Sequence, residues 1–375
     1  MSHHRKKGAE SGDTLALALA AMGEVERVTH GFHTYAAGLH PDAAARLVAA
    51  FPGEAVLDPF AGGGTVLVEG RLAGRRTIGR DVSPVALLVA TARTATAGEE
   101  TLGRMRSAAR RLAEEARKAK SDPPERILRA VADWYAPYVL HELEAIRRGI
   151  AAIEPGLPRA LLEACFSSIL VKVSWRRSDT SQQRVRHDRP PGTAAVLFHK
   201  KARELGRRIA ALRDLVPAGT PPSDLALADA RRLELAEPVD LVLTSPPYPS
   251  TYDYLPMQHL RTVWLELPPG EGEIGSRRAF REGQRDARQE WMDDTRAWTS
   301  RAVRWLRPGG HLVIVIGDGL TPAGPIDSAA VTEEAARDAG FTPFSRASVE
   351  RPDFARQTMR WEHVLAFVSP ARTGG

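Results

Sequence analysis

A chain of 375 residues with 43% hydrophobic content is long enough to bury one large core, or one core with an inserted subdomain. This composition excludes a disordered protein, and no apolar run approaches the roughly 18 residues that cross a bilayer. A single cysteine, Cys165, excludes an internal disulfide and disfavours a structural zinc site. No secretory apolar segment follows Met1 to Lys7, so we expect a cytoplasmic protein with no membrane partner. We also expect no metal.

The net charge of +6 is distributed unevenly along the chain. Residues 101–222 contain 24 Lys and Arg against 13 Asp and Glu, a net +11, and the rest of the chain is net −5. A basic middle beside an acidic body indicates a polyanionic partner, of which nucleic acid is the first candidate. A solvated helical surface is the alternative.

The stretch from Val56 to Thr65, Val-Leu-Asp-Pro-Phe-Ala-Gly-Gly-Gly-Thr, predicts a buried strand, a glycine turn and a helix. Such a turn lets a ligand lie against bare backbone N–H groups. The dinucleotide spacing would need glycine where Leu67 stands, and no Gly-Lys-Ser/Thr follows for a phosphate loop. Asp81 ends the next predicted strand, where an acid commonly accepts ribose hydroxyls. The pattern favours a nucleoside ligand without a phosphate tail, such as S-adenosylmethionine.

A second predicted strand, Asp240 to Thr244, leads into the turn Ser245-Pro246-Pro247-Tyr248. Together with Asp58-Pro59-Phe60-Ala61-Gly62-Gly63-Gly64-Thr65, this turn resembles the S-adenosylmethionine-dependent amino-methylating DNA methyltransferases, which modify cytosine N4 or adenine N6. The resemblance covers roughly residues 30 to 95 and 223 to 370. It implies an α/β fold with a doubly wound, mostly parallel seven-stranded sheet, class I methyltransferase-like, here with an all-helical insertion.

The resemblance also implies the site residues. Ser245 and the Pro246 carbonyl would accept the two N–H hydrogens of the target amine, Pro247 would help to fix the turn, and Tyr248 would stack on the extruded base. Asp58 would lie near the methionine part of the cofactor, Asp81 at the ribose and Asp229 at the adenine amino group. The whole cofactor set is Tyr35, Asp58, Phe60, Gly62, Gly64, Asp81 and Asp229. Any one of these three acids alone is more often a helix cap or a solvated carboxylate. All three lie at or near the carboxyl ends of predicted strands, however, and in a parallel sheet those ends share one rim, where ligands bind.

We divide the chain into an N-terminal extension (1–29), a catalytic cofactor-binding domain (30–98 and 223–370) and a helical basic insert for target recognition (99–222). Helices are predicted in the insert at about 99–120, 125–132, 138–153, 158–172 and 194–215. Trp175, Arg176, Arg177 and Arg184 are its predicted nucleic-acid contacts, because arginines neutralise phosphates and tryptophan stacks on a displaced base. The alternative is that Trp175 seals the insert against the catalytic body.

These observations predict an enzyme, a site-specific DNA methyltransferase of the restriction-modification kind. Ser245 favours cytosine N4, whereas Asp or Asn at that position would favour adenine. In many family members with Ser-Pro-Pro-Tyr that motif precedes the glycine loop, and here it follows, so adenine N6 of DNA stays open. A base amine in RNA also stays open, because related RNA enzymes share the glycine loop and a Pro-Pro-Tyr turn. Gly63 stands where the family usually has serine, and we expect the cofactor site to tolerate this change.

The expected partners are DNA as substrate and, for an enzyme of this kind, a cognate restriction nuclease. The alternative from another class is a non-catalytic nucleic-acid-binding protein that keeps the cofactor fold. Intact Ser245, Tyr248 and Asp81 argue against that alternative.

Overall fold

A single seven-stranded sheet organises the fold in the computed structural model, which describes residues 13–20, 26–35, 38–187, 189–281, 287–321, 323–353 and 358–371. Its strands are β1 (Ala55–Asp58), β2 (Arg76–Asp81), β3 (Asp224–Leu227), β4 (Val239–Thr244), β5 (Leu306–Gly317), β8 (Thr342–Asp353) and β9 (Thr358–Val368). They lie in the order β3-β2-β1-β4-β5-β9-β8. Neighbouring strands from β3 to β5 pair in parallel, and β9 runs antiparallel to both β5 and β8.

Helices cover both faces of this sheet. Val56 packs with Leu47 on one face and Leu57 packs with Trp298 on the other, because successive side chains of a strand point to opposite faces. Strands buried on both faces have few polar residues, which is why β1 and β4 are nearly continuous apolar runs. The helices of the sheet layers are α1 (residues 13–19), α2 (Pro41–Ala50), α3 (Thr65–Leu72), α4 (Pro84–Thr94), α10 (Tyr254–Met257), α11 (His259–Trp264), α12 (Arg277–Arg281), α13 (Ala287–Trp305) and α14 (Ser328–Asp338).

The segment between β2 and β3 contains a helical bundle with its own core. Its helices are α5 (Glu99–Ala116), α6 (Glu125–Val131), α7 (Pro137–Ala151), α8 (Leu157–Val173) and α9 (Thr193–Leu215), with a short 3-10 helix at Ala132–Trp134. Leu112, Ile146, Cys165 and Phe198 are fully buried in this core, which Trp264 of α11 also joins. The predicted fold class, a doubly wound sheet with an all-helical insertion, is confirmed.

Some elements differ from the sequence prediction. The sequence after the Ser-Pro-Pro-Tyr turn predicts one helix from about Met257 to Leu265, but the structure has two short helices, α10 and α11, with Gln258 between them. A small hairpin of β6 (Gly319–Thr321) and β7 (Gly324–Ile326) was not predicted, because three-residue strands give no alternating pattern. Of the N-terminal extension, residues 1–12 and 21–25 lie outside the described residues. No helix in the described ranges is long and apolar enough to cross a membrane.

The position of β1 between β2 and β4 defines where a ligand would bind. The chain passes from β1 to β2 on one side and returns as β4 on the other, so the strand order reverses at β1. In open α/β sheets, ligands bind in the crevice at the carboxyl ends of the strands that flank such a point. Asp58, Asp81 and Thr244 are the last residues of these three strands.

Candidate active site

The glycine loop after β1 turns sharply at residues with left-handed backbone conformations. Gly62 has a φ of +48° and Gly64 a φ of +80°, which side chains other than glycine rarely adopt. The Gly62 N–H donates to Asp81 Oδ2 at 2.8 Å, so the loop is held against the end of β2. A Cβ on Gly64 would lie 3.0 Å from the Cβ of Ala90, so the glycine also permits close packing on α4.

Two buried carboxylates end neighbouring strands at this loop. Asp81 accepts a second hydrogen bond from the Ser83 N–H at 2.8 Å, and burial raises the pKa of Asp81 to about 6. Asp58 Oδ1 accepts from the Phe60 N–H at 3.1 Å and from the Thr244 hydroxyl at 2.7 Å. Burial raises the pKa of Asp58 to about 7. Both acids therefore titrate near neutral pH, where a nearby positive charge would favour their ionised forms.

One cavity, here called the loop cavity, brings most of the predicted site residues together. It is lined by Tyr35, Asp58, Phe60, Gly62, Asp81, Asp229, Ser245 and Pro247 from the predicted set. Gly64 and Pro246 are not among its lining residues; Gly64 forms the N-cap of α3 behind the loop. Val82, Leu255 and Ile274 add apolar surface of the kind that accepts a flat ring.

Asp229 reaches the loop cavity as part of an ion pair. Arg231 donates to both of its carboxylate oxygens, at 2.9 Å from Nε and 2.7 Å from Nη2, and to Asp294 at 2.7 Å. Burial alone would raise the pKa of Asp229, but the hydrogen bonds from Arg231 lower it. Only the remaining lone pairs of Asp229 are open to a ligand.

Glu273 is a lining residue of the loop cavity that sequence analysis missed. Its carboxylate accepts a hydrogen bond from the Tyr254 N–H, and burial raises the pKa of Glu273 to about 7. It lies in a Gly-rich loop with no strand before it, so the rule that placed the acids at strand ends gave no signal there.

The Ser-Pro-Pro-Tyr turn separates the loop cavity from a second one, here called the hairpin cavity. Ser245 lines both cavities. Tyr248 is 9% exposed and donates from its hydroxyl to Glu362 Oε1 at 3.1 Å. The guanidinium carbon of Arg360 lies 5.4 Å from the centre of the Tyr248 ring. The polar and aromatic lining of the hairpin cavity is His40, Ser245, Tyr248, Tyr252, Arg351, Arg360 and Glu362.

Three of these lining residues, Arg351, Arg360 and Glu362, were missed by sequence analysis. They belong to the closing hairpin of β8 and β9. Arg360 and Glu362 lie four and two positions before the buried Val364, hence on the same face of β9. Charged residues on the inward face of a strand were the signal that could have identified them.

The predicted nucleic-acid residues lie on the loop that follows α8. Arg177 and Arg184 are exposed, and Trp175 is half-buried with its indole N–H donating to the His187 carbonyl at 3.3 Å. Arg186, which sequence analysis did not single out, lies over the Trp175 ring with its guanidinium carbon 4.9 Å from the ring centre. One face of Trp175 is therefore already covered by a guanidinium.

Arg176 differs from its neighbours because it is only 3% exposed. Its guanidinium donates to the carbonyls of Met257 at 2.7 Å and Ser181 at 2.6 Å. The bond to Met257 attaches the loop to the segment that follows the Ser-Pro-Pro-Tyr turn, and the bond to Ser181 closes the loop on itself. The structure thus gives Arg176 a structural role, and the phosphate contact predicted for it is incompatible with its burial.

Comparison with known proteins gives similarity at the level of solved structures only. No protein-family model and no curated protein matches the chain. TrmN from Thermus thermophilus is 14% identical over 88% of this chain and 48% of that one, with a TM-score of 0.34. An S-adenosylmethionine-dependent methyltransferase from Methanosarcina mazei is 9% identical over 87% of this chain and 98% of that one, with a TM-score of 0.36.

A candidate DNA modification methylase, also from Thermus thermophilus, is 21% identical over 40% of this chain and 54% of that one, with a TM-score of 0.26. The chain spans about half of the length of the TrmN structure. At these identities the likeness concerns the fold alone.

Proposed function

We propose that this chain transfers a methyl group from S-adenosylmethionine to an exocyclic base amine in DNA, cytosine N4. The contact between the two sequence motifs carries this proposal. The Thr244 hydroxyl donates to Asp58 at 2.7 Å, and Ser245 lines the same cavity as Asp58 and Asp81. A ligand held by the glycine loop would therefore lie beside the residues proposed to hold the amine.

The loop cavity suits a nucleoside that has a cationic tail. Gly62 and Gly63 line the cavity with bare backbone, against which a ligand can lie. Asp81 fits the ribose hydroxyls, because backbone N–H groups orient its carboxylate. Asp58, which lines the same cavity, is proposed to face the methionine part, where the ionised acid would attract a sulfonium. S-adenosylmethionine supplies an electrophilic methyl group when bound.

The Ser-Pro-Pro-Tyr turn suits the target amine. The lone pair of an exocyclic amine is delocalised into its ring, so acceptors must bind the N–H hydrogens to localise it. Ser245 Oγ and the Pro246 carbonyl are proposed as these acceptors. Pro246 and Pro247 restrict the backbone, which holds the acceptors in place before the base arrives. Tyr248 is proposed to stack on the extruded base, a contact worth about 1 to 3 kcal/mol.

The helical insert is proposed to bind the DNA backbone. Exposed Arg177 and Arg184 are the proposed phosphate contacts, and half-buried Trp175 the proposed stacking residue. Lys172, Arg177, His187 and Arg189 line a further open cavity at the loop, which extends the basic surface. Thr34, next to the cofactor residue Tyr35, lines the same cavity, so this surface adjoins the catalytic body.

Mass analysis of methylated nucleic acid tests the proposal. The enzyme is incubated with labelled cofactor and either DNA or RNA, the polymer is digested, and the modified nucleoside is identified. We expect N4-methylcytosine in DNA. N6-methyladenine alone would correct the target base, label in RNA alone would correct the substrate, and no label despite cofactor binding by calorimetry would contradict methyl transfer.

Substitutions of Ser245, Tyr248 and Asp81 test the role proposed for each residue. We expect Ser245→Ala and Tyr248→Ala to keep cofactor affinity and lose most turnover, whereas Asp81→Ala should weaken cofactor binding in calorimetry. Unchanged turnover in the first two variants would contradict the mechanism, and an unaltered affinity in the third would remove Asp81 from the ribose.

A further inference from the structure

A chain of hydrogen bonds leads from Ser245 to the closing hairpin. Ser245 Oγ lies 3.4 Å from the Tyr248 hydroxyl, and that hydroxyl lies 3.1 Å from Glu362 Oε1. The other carboxylate oxygen, Glu362 Oε2, accepts from Nε of Arg351 at 2.5 Å. The chain begins at the proposed amine acceptor and ends on an ion pair.

The chemistry of these groups fixes the direction of every bond. An ionised carboxylate only accepts, so Tyr248 must donate its single hydrogen to Glu362. Tyr248 then has only lone pairs left for Ser245, and Ser245 must donate in turn. The hydrogen of Ser245 consequently points to Tyr248, and its lone pairs point elsewhere.

The sheet explains why a residue of β9 reaches this turn. β5 lies between β4 and β9, and its last residue, Gly317, pairs with Glu362. A Cβ on Gly317 would lie 2.7 Å from Cε2 of Tyr248, so the glycine leaves the space that the tyrosine ring fills. Tyr248 therefore spans the end of β5, with its hydroxyl beside Glu362.

We propose that Glu362 is a positioning residue of the methyl-transfer site, which acts through Tyr248 to hold the lone pairs of Ser245 toward the target amine. This inference rests on the proposed function. An amine can be held through its N–H hydrogens only if Ser245 accepts, and a serine that rotates freely would also present its own hydrogen to the nitrogen. The distance of 3.4 Å between Ser245 and Tyr248 is long for two hydroxyls, and such bonds commonly tighten in the substrate complex.

The charges around Glu362 suit this role. Arg351 pairs with Glu362 and also donates to the Leu19 carbonyl, which keeps the guanidinium in place. Burial raises the pKa of Tyr248 well above its ordinary value, and the Glu362 charge raises it further, so the phenol stays protonated. The other charged or titratable groups that line the hairpin cavity are His40, Tyr252 and Arg360.

Glu362→Gln is the decisive variant, because the side chain keeps its size but gains hydrogen-bond donors. A glutamine NH₂ can donate to Tyr248, after which Tyr248 can donate to Ser245 and turn the Ser245 hydrogen toward the amine. We expect kcat to fall about tenfold or more, with the KM for cofactor and for DNA changed by less than about twofold. Glu350→Gln, on the exposed neighbouring strand β8, is the matched control and should leave both unchanged.

A double-mutant cycle tests whether the effect passes through Tyr248. Tyr248→Phe keeps a stacking ring but removes the hydroxyl, so adding Glu362→Gln to it should cause no further loss of kcat. Additive losses, or full kcat in Glu362→Gln, would overturn the inference. The proposed function is tested separately, because it is contradicted only if the wild-type enzyme does not methylate DNA.

NMR of the protein without substrate tests the bond between Tyr248 and Glu362 directly, and thermal unfolding shows whether the variants are folded. With tyrosine labelled at ¹³Cζ and the Tyr248 resonance assigned from Tyr248→Phe, we expect Glu362→Gln to shift that resonance and Glu350→Gln to leave it in place. Thermal unfolding should remain cooperative in both variants. An unmoved resonance in Glu362→Gln would show that the Tyr248 to Glu362 bond is absent in solution and would overturn the inference.

Discussion

The hydroxyl of Thr244 donates a 2.7 Å hydrogen bond to Oδ1 of Asp58 across the boundary between β4 and β1. These residues are 186 positions apart in the chain and end the two strands that precede the two motifs. Parallel pairing of Val56 with Leu241 and Leu57 with Val242 brings the strand ends side by side. The bond therefore joins the glycine loop to the turn proposed to hold the base.

Thr244→Val tests what this hydrogen bond contributes to stability and to cofactor binding. Valine has the same shape but no donor, so buried Asp58 loses one of its two hydrogen bonds. We expect the free energy of unfolding to fall by about 1 to 3 kcal/mol and cofactor affinity to weaken. Chemical denaturation and calorimetry measure the two effects. Thr299→Val, which removes a buried hydroxyl from α13, is the control: equal loss of cofactor affinity in both variants would contradict a specific role for Thr244.

The raised pKa of Asp58 predicts a pH dependence of stability. Its pKa is about 7 in the folded protein against 3.8 for the free side chain, so the folded state binds more protons between these values. The contribution of Asp58 is present below about pH 4 and is lost as the pH rises through 7, at a cost of up to a few kcal/mol. Asp58→Asn should keep both hydrogen bonds to its oxygen and should flatten the fall in stability between about pH 4 and 7.

Asp240 gives the opposite dependence and serves as the control. It accepts from the backbone N–H groups of Glu54 and Ala55; burial opposes ionisation, but these bonds and Arg307 lower the pKa of Asp240. Its stabilisation is present above pH 3.8 and is lost as the pH falls below that value. Denaturation curves from about pH 3 to 9 compare Asp58→Asn with Asp240→Asn. Parallel curves for the wild type and Asp58→Asn between about pH 4 and 7 would contradict the burial argument for Asp58.

The packing around Gly63 gives a physical reason for glycine at this position. A serine at this position would place its Cβ 2.6 Å from Nη1 of Arg93 and 3.2 Å from Cβ of Tyr35. Arg93 is 6% exposed and donates to the carbonyls of Gly63 and His33, so it has little room to retreat. We expect Gly63→Ser to cost about 1 to 3 kcal/mol of unfolding free energy.

Removing the obstructing guanidinium tests the cause. In an Arg93→Met background the added serine should cost clearly less, which gives a coupling energy in a double-mutant cycle. Equal costs in the two backgrounds would contradict the contact as the origin of the effect. Thermal unfolding of the wild type, Gly63→Ser, Arg93→Met and the double variant measures this coupling energy.

Sequence patterns predicted those parts of the protein in which one local rule decides the structure. Apolar runs followed by glycine or proline predicted β1 and β4, and the rule that acids end parallel strands placed Asp58 and Asp81 on one rim. The helical insertion was predicted within a few residues at each helix, because long amphipathic repeats and proline breaks are clear signals.

What could not be predicted depends on contacts between distant segments. Glu362 meets Tyr248 because β9 pairs antiparallel with β5, and no pattern near residue 362 specifies that partner. Arg176 and Arg177 are adjacent and chemically alike, yet one is buried against Met257 and the other faces solvent. Charge counting treats them as equal, because burial is decided by the packing of α10 and α11 against the loop.

This difference between adjacent arginines predicts a separation of DNA affinity from stability. Arg177→Ala should weaken DNA binding and reduce the slope of log affinity against log salt concentration by about 1, with stability unchanged, because a phosphate contact is lost. Arg176→Met should instead lower the free energy of unfolding, because three backbone carbonyls lose their donor. DNA-binding titrations at several salt concentrations measure the affinity of both variants, and chemical denaturation measures their stability.

Arg111→Ala provides the control for charge alone. Arg111 is exposed on α5 of the same basic insert, where it pairs with Glu115 at 3.0 Å, so this variant changes the net charge equally but removes no proposed contact. We expect its salt slope to stay near that of the wild type. An identical reduction of the slope in Arg111→Ala and Arg177→Ala would mean that the insert attracts DNA through its overall charge, and that the loop after α8 is not a specific contact surface.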